Sequence, residues 1–185
     1  MLSAPQLLIA FRAFCGPALF VLACFRFNGW TLTCVLVAAI LSDIFDGVIA
    51  RWKGIDTPAL RMADTIVDTI FYSAAGLALG VAVPGAYDEA WLALSLLIAV
   101  HVSRTTFEMI KFGRVASYHM WSSRVLGLLL ASALGVGFVT GRPTVLLTVG
   151  LWLGVGNELE GFTASAILPA WRCDVPSLLH ALRGR

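Results

Sequence analysis

Residues 43–68 read DIFDGVIARWKGIDTPALRMADTIVD, and the chain on either side is apolar: TLTCVLVAAIL over 31–41 and TIFYSAAGLALGVAV over 69–83. A membrane helix needs about 20 mostly apolar residues. The runs Trp30 to Arg51 and Pro58 to Val83 both reach that length and keep their acids inside it. Gly54 and Pro58 mark the break between them. Thr57 is placed to cap the second helix, with Pro58 as its first residue. The stretch therefore predicts two antiparallel helices joined by a short loop, with Asp43 and Asp46 on one and Asp64 and Asp68 on the other.

Spacings of three and four put each pair of acids on one face of its helix. At 1.5 Å per residue, Asp46 lies roughly 8 Å from the Arg51 end and Asp64 roughly 9 Å from Pro58. Asp43 and Asp68 lie deeper, at roughly 12 and 15 Å, so the four converge at similar depths. An unpaired carboxylate inside a membrane costs several kcal/mol, which makes intramembrane acids functional by default. Four together repel unless some stay protonated or cations neutralise them. Two divalent ions balance the charge, and oxygen-only ligands favour Mg²⁺, Mn²⁺ or Ca²⁺ over zinc. Small Gly47 and Ala50 leave room for a ligand, and Arg51 at the mouth suits phosphate.

The rest of the chain carries the same pattern. Hydrophobic residues make up 59% and charged residues 13% of 185 positions. That is too few charges to cover a water-facing surface, so lipid must cover much of it. Four further apolar stretches run from Gln6 to Phe25, Glu89 to Phe112, Ser122 to Thr140 and Pro143 to Leu168. The expectation is an all-α integral membrane bundle of six transmembrane helices, one domain over residues 1–185. The first span has an alternative form: an interfacial helix over Ala4 to Ala13, with Arg12 near the headgroups and a turn inward at Pro17. A net charge of +2 without a basic run excludes a nucleic-acid partner, and no cleaved signal peptide is expected. Cys15, Cys24, Cys34 and Cys173 read as small apolar side chains. His101, His119 and His180 are too scattered for a ligand set.

Positive charge orients the bundle. One side collects Arg12, Arg51, Lys53, Arg61, Arg104, Lys111, Arg114, Arg124, Arg172, Arg183 and Arg185. The other has only Arg26 and Arg142, with the acidic Asp88 and Glu89. The first side, which holds the acid cluster and both termini, is therefore cytoplasmic.

The stretch Asp43–Asp68 resembles the motif of the CDP-alcohol phosphatidyltransferases, D-x2-D-G-x2-A-R-x8-G-x3-D-x3-D. Asp43, Asp46, Gly47, Ala50, Arg51, Asp64 and Asp68 match at the required spacing, and Leu60 stands where the family has glycine. The resemblance implies transfer of a phosphatidyl group from a CDP-linked lipid such as CDP-diacylglycerol to an alcohol, with release of CMP. It implies Asp43, Asp46, Asp64 and Asp68 as ligands of two Mg²⁺ or Mn²⁺ ions, and Asp68 as the general base. Asp46, Gly47, Ala50 and Arg51 correspond to the CDP-binding wall. Leu60 implies a narrower pocket, an altered donor preference or an inactive relative, unless Gly54 or Ala59 supplies the clearance.

For the acceptor, Arg104, Arg114 and Arg124 are the candidates, and such a cluster suits a phosphorylated polyol such as glycerol 3-phosphate or inositol phosphate. Serine or another uncharged alcohol would need fewer cations. The competing reading for Arg104 is a pair with Glu108 one turn on. Glu158 and Glu160 either face the cleft or pair with Arg104 or Arg12. Gly150, Gly154 and Gly156 suit close helix packing, within the bundle or in a homodimer. Val175, Leu178, Leu179 and Leu182 predict one apolar face of an amphipathic tail on the inner leaflet. A cation transporter is the alternative of another class, but no ionisable path continues to the outer face, and it leaves Gly47, Ala50 and Arg51 unexplained.

Overall fold

The computed structural model describes residues 3–55, 57–118, 120–172 and 175–183. His119, Cys173 and Arg185, considered above, lie outside them, as does the side chain of Arg183. The described residues form an all-α chain of seven helices: α1 (Ala4–Cys24), α2 (Gly29–Lys53), α3 (Pro58–Ala82), α4 (Trp91–Phe112), α5 (Trp121–Thr140), α6 (Val145–Ile167) and the short α7 (Leu178–Arg183). By length and composition, α1 to α5 are able to cross a membrane. The 23-residue α6 carries Asn157, Glu158 and Glu160 in its second half.

The helix ends follow from local chemistry. Asn28 caps α2 by accepting from Thr31 N–H at 2.8 Å, and Thr57 caps α3 by accepting from Leu60 N–H at 3.2 Å. Gly54 ends α2 at φ 63°, a left-handed conformation that a Cβ would penalise. Arg51 and Lys53 occupy that helix's last turn, where cations offset the exposed carbonyls.

The chain folds as two compact units, Met1–Ala86 with Ala131–Thr144, and Tyr87–Leu130 with Val145–Arg185. In the first, α1 packs on α2 and α3. Leu19, Ala23, Leu32, Leu36, Phe71, Ala75, Ala78 and Leu79 form its apolar interior. The break expected at Pro17 is absent, and α1 runs through it as one helix. An internal proline costs about 3 kcal/mol of helix stability. Packing on both sides of it offsets that cost: Gly16 lies so close to α3 that a Cβ there would sit 3.2 Å from Phe71 Cα, and Leu19 is fully buried.

In the second unit, α4 and α6 pack together, and α7 folds back on α6. A Cβ on Gly150 would meet Leu130 at 2.9 Å and one on Gly154 would meet Leu97 at 3.2 Å, so these two glycines serve packing within the unit. Gly156 faces open space. The tail does not present a single apolar face. Val175 and Ala181 are buried with Ala116, Tyr118, Met120, Ala164 and Leu168, and Leu178 packs against them. Leu179 and Leu182 point outward. The tail's contacts with the 116–120 segment and α6, rather than its own periodicity, select which side turns in.

Candidate active site

The acids of α2 and α3 meet where the sequence predicts, and they meet around a residue of α1. Arg12 is the one charged residue of that helix, and it is 1% exposed. Its Nη1 donates to Asp43, and its Nη2 donates to Asp64 and, at 3.2 Å, to Asp46. Its Nε lies 3.2 Å from Asp68 Oδ1 but finds no partner in hydrogen-bond geometry. All four carboxylates thus surround one guanidinium. Arg12 is buried in the cluster, with all four acids of α2 and α3 as its partners. Sequence reasoning assigned it no part in the site. A lone cation inside an apolar helix, opposite in sign to the intramembrane acids, was the available signal.

The cluster is graded in access. Asp46 is buried and the Asp64 side chain is 18% exposed, whereas those of Asp43 and Asp68 are 44% and 35% exposed. One carboxylate oxygen from each of Asp43, Asp64 and Asp68 lies within 4.8 Å of the others. This oxygen-only set suits a hard divalent cation. One guanidinium cannot neutralise four carboxylates, so the remaining repulsion is relieved by protonation or by a further cation.

Beside the acids is a small cavity of about 30 Å³, lined by Pro5, Ile9, Asp46, Gly47, Ala50, Leu60, Arg61 and Asp64. It joins Asp46, Gly47 and Ala50 of the motif to Leu60, the departing position, and adds Pro5, Ile9 and Arg61. Over Gly47 lies the tip of Arg51: a Cβ there would be 3.3 Å from Nη1. The exposed Arg51 is thus folded over the glycine. A larger cavity, about 160 Å³, opens at the other end of these helices between Ala23, Gly29, Ala82 and Phe138, and Arg26 is the one charged residue lining it.

The three acceptor candidates belong to the second unit. Arg104 is held by two acids: Nε donates to Glu108 at 2.8 Å and Nη1 to Glu158 at 3.1 Å. The pairing expected with Glu108 is present. Glu108 is fully buried and also accepts from Ala116 N–H and Ser165 Oγ. Glu158 also meets His101 Nδ1 at 3.1 Å. Ser165 spends its proton on an acceptor in α6 or on Glu108, so the Tyr118 hydroxyl donates to it at 2.8 Å. Burial pushes the Tyr118 phenol up, which keeps that proton in place. Glu160 accepts from Ser122 at 2.8 Å. Arg114 and Arg124 are exposed and stack over Trp171 and Trp121, at 4.7 and 5.6 Å from the ring centroids. Lys111 donates to the carbonyls of Ser165 and Ala166, both at 2.9 Å, closing the end of α6.

Residues 2–159 match the family model of the CDP-alcohol phosphatidyltransferases, which covers most of the chain and includes the whole acid cluster. The chain belongs to the CDP-alcohol phosphatidyltransferase family. This is a transferase family of phospholipid synthesis, and its members are generally divalent-cation dependent. The five apolar helices of this phosphatidyltransferase-family chain fit a multi-pass membrane protein. No curated protein and no solved structure matches the chain.

Proposed function

We propose that this chain moves a phosphatidyl group from a CDP-linked lipid such as CDP-diacylglycerol to an alcohol and releases CMP. The observation that carries the reading is the meeting of Asp43, Asp46, Asp64 and Asp68 on one guanidinium, beside a pocket lined by Gly47 and Ala50. The four acids would hold two Mg²⁺ or Mn²⁺ ions. When bound, these would supply electrostatic stabilisation of the charge that builds on the donor's pyrophosphate.

The chain's own residues have the remaining roles. Asp46, Gly47, Ala50 and Arg51 take the CDP part of the donor. Asp68 accepts the proton of the acceptor hydroxyl. It suits a base because its tie to Arg12 is the loosest of the four and its carboxylate is partly open. The freed oxygen forms a bond to the lipid-side phosphorus. The bond from that phosphorus to the oxygen bridging to CMP breaks, and CMP leaves with the electron pair.

The membrane arrangement in this reading has six spans, α6 included, with the acids and both termini on the cytoplasmic side. Excess Lys and Arg there support it. Arg104, Arg114 and Arg124 are the acceptor candidates, and a phosphorylated polyol is the favoured class. Arg104 would have to give up contacts to Glu108 and Glu158, so Arg114 and Arg124 are the better supported. A homodimer belongs to the same reading, with Gly156 open to a second copy. A second reading is an inactive family member serving as a subunit. Leu60 on the pocket wall favours it.

The test is CMP release in detergent from CDP-diacylglycerol with Mg²⁺ or Mn²⁺, offering glycerol 3-phosphate, inositol phosphate, inositol, serine and choline in turn. Asp68→Asn should lower turnover by about 10²-fold or more while melting as the wild type does. Wild-type turnover in Asp68→Asn removes Asp68 from the chemistry. No CMP from any acceptor, with Mn²⁺ bound, favours the inactive reading, and cation flux in vesicles favours a transporter.

A further inference from the structure

We propose that Arg12 is a built-in counter-cation that a divalent ion must displace, so that this one side chain sets the protein's cation affinity. The inference rests on the reading of the acid cluster as a cation site.

Arg12 is placed as a substitute ion would be. It is 1% exposed, and every guanidinium nitrogen is directed at the acids: Nη1 to Asp43, Nη2 to Asp46 and Asp64, Nε to Asp68. These partners belong to α2 and α3 while Arg12 belongs to α1, so the guanidinium also ties three helices together. The coordination is incomplete, because Nε is buried without a hydrogen-bond partner among the described residues. A planar fork serves two or three carboxylates well and a fourth poorly. A divalent ion carries twice the charge and has no fixed direction, so it serves the same oxygens better.

Geometry makes the two cations exclusive. Asp43, Asp64 and Asp68, the acids whose oxygens lie within 4.8 Å of one another, are three of the four that Arg12 holds. An ion between them would press against the guanidinium, and like charges at that range repel strongly in a poorly solvated site. The partly exposed Asp43 and Asp68 give an ion from water its approach. On the side of Asp46 and Asp64 a cavity of about 30 Å³, lined by Ile9 and Pro5 one and two turns earlier on α1, leaves a slight gap beside the guanidinium. Without a divalent ion the arginine keeps the acids from repelling one another. With one, it moves aside.

The test measures Mn²⁺ binding, by electron paramagnetic resonance of free Mn²⁺, and thermal melting in EDTA, on the full chain in detergent. The proteins are wild type, Arg12→Lys and Arg12→Gln. Arg12→Gln should bind Mn²⁺ about tenfold more tightly or better, equivalent to about 1.4 kcal/mol. Arg12→Lys, which keeps the charge but loses the fork, should fall between. Both variants should melt lower than wild type in EDTA and recover with Mn²⁺. A variant that folds only when Mn²⁺ is present supports the inference equally. Unchanged or weaker Mn²⁺ binding in both variants overturns it. So does a failure of any of the three proteins to bind Mn²⁺, or of saturating Mn²⁺ to rescue folding. CMP release by the wild type reports separately on the enzyme reading. Turnover with unaltered Mn²⁺ affinity in the variants sinks the counter-cation alone, and tighter binding without turnover sinks the transferase alone.

Discussion

Replacing Gly161 by alanine tests whether Arg104 is a packing element or a residue free to meet an acceptor. A Cβ at Gly161 would stand 2.3 Å from Arg104 Nη1, 2.5 Å from Cζ and 3.0 Å from Nε. The guanidinium is the far end of a flexible side chain and would ordinarily step aside at little cost. Here it is fixed from two directions, by Glu108 at 2.8 Å and Glu158 at 3.1 Å, and its side chain is only 15% exposed. Stepping aside gives up at least one charge-assisted hydrogen bond and leaves a buried acid short of a partner. The expected cost is about 2–3 kcal/mol. In a chain of this size that lowers the melting temperature by about 4–12 °C. The assay is thermal unfolding in detergent of Gly161→Ala, Arg104→Gln and the double variant. If the methyl acts by evicting the guanidinium, it costs almost nothing once Arg104 is glutamine. An equal loss in both backgrounds refutes the reasoning, and the clash is then with something other than Arg104. A KM for the acceptor that rises in Gly161→Ala while stability holds would return Arg104 to the acceptor site.

Gly29→Ala should be the most damaging of the glycine substitutions, because its Cβ would fall 1.8 Å from the Phe138 carbonyl oxygen, which is backbone and cannot turn away. Gly156→Ala, with open space above it, should leave the melting temperature within about 2 °C of wild type. Comparable melts for these two would show that the approach of α2 to α5 is wrong. Leu60→Gly should widen the pocket beside Asp46 and lower the KM for the donor, at about 1 kcal/mol of helix stability. An unchanged donor KM means that Leu60 does not limit nucleotide access. Chelation by EDTA should abolish CMP release and added Mg²⁺ or Mn²⁺ should restore it, whereas undiminished release in EDTA removes the cations from the reaction.

Much of this molecule was legible before any coordinates. The helix bounds follow apolar runs and the residues that interrupt them, so α3 begins at Pro58 behind Thr57, and α2 stops at Gly54. Spacing alone put Asp43 with Asp46 and Asp64 with Asp68, and a short loop forced the two pairs together. The Arg104–Glu108 contact was legible for the same reason, since residues one turn apart on a helix are neighbours. Other features were not. The tail's four apolar residues had two ways to turn, and contact with Ala164 and Leu168 chose one. Pro17 looked like a break because local rules weigh its missing hydrogen bond and cannot weigh the packing on α3 that outlasts it.

Arg12 is the clearest divide. The order of residues alone placed a charge in an apolar helix and four acids in two others, with the acids turned toward one another. Its ion-pair partners lie 31 to 56 residues further along the chain, and no periodicity reaches that far. Which way α1 rotates, and therefore whether its single cation meets those acids or the membrane surface, depends on how its apolar side chains fit those of α2 and α3. That fit is a property of three helices packed together, and it exists in none of them alone.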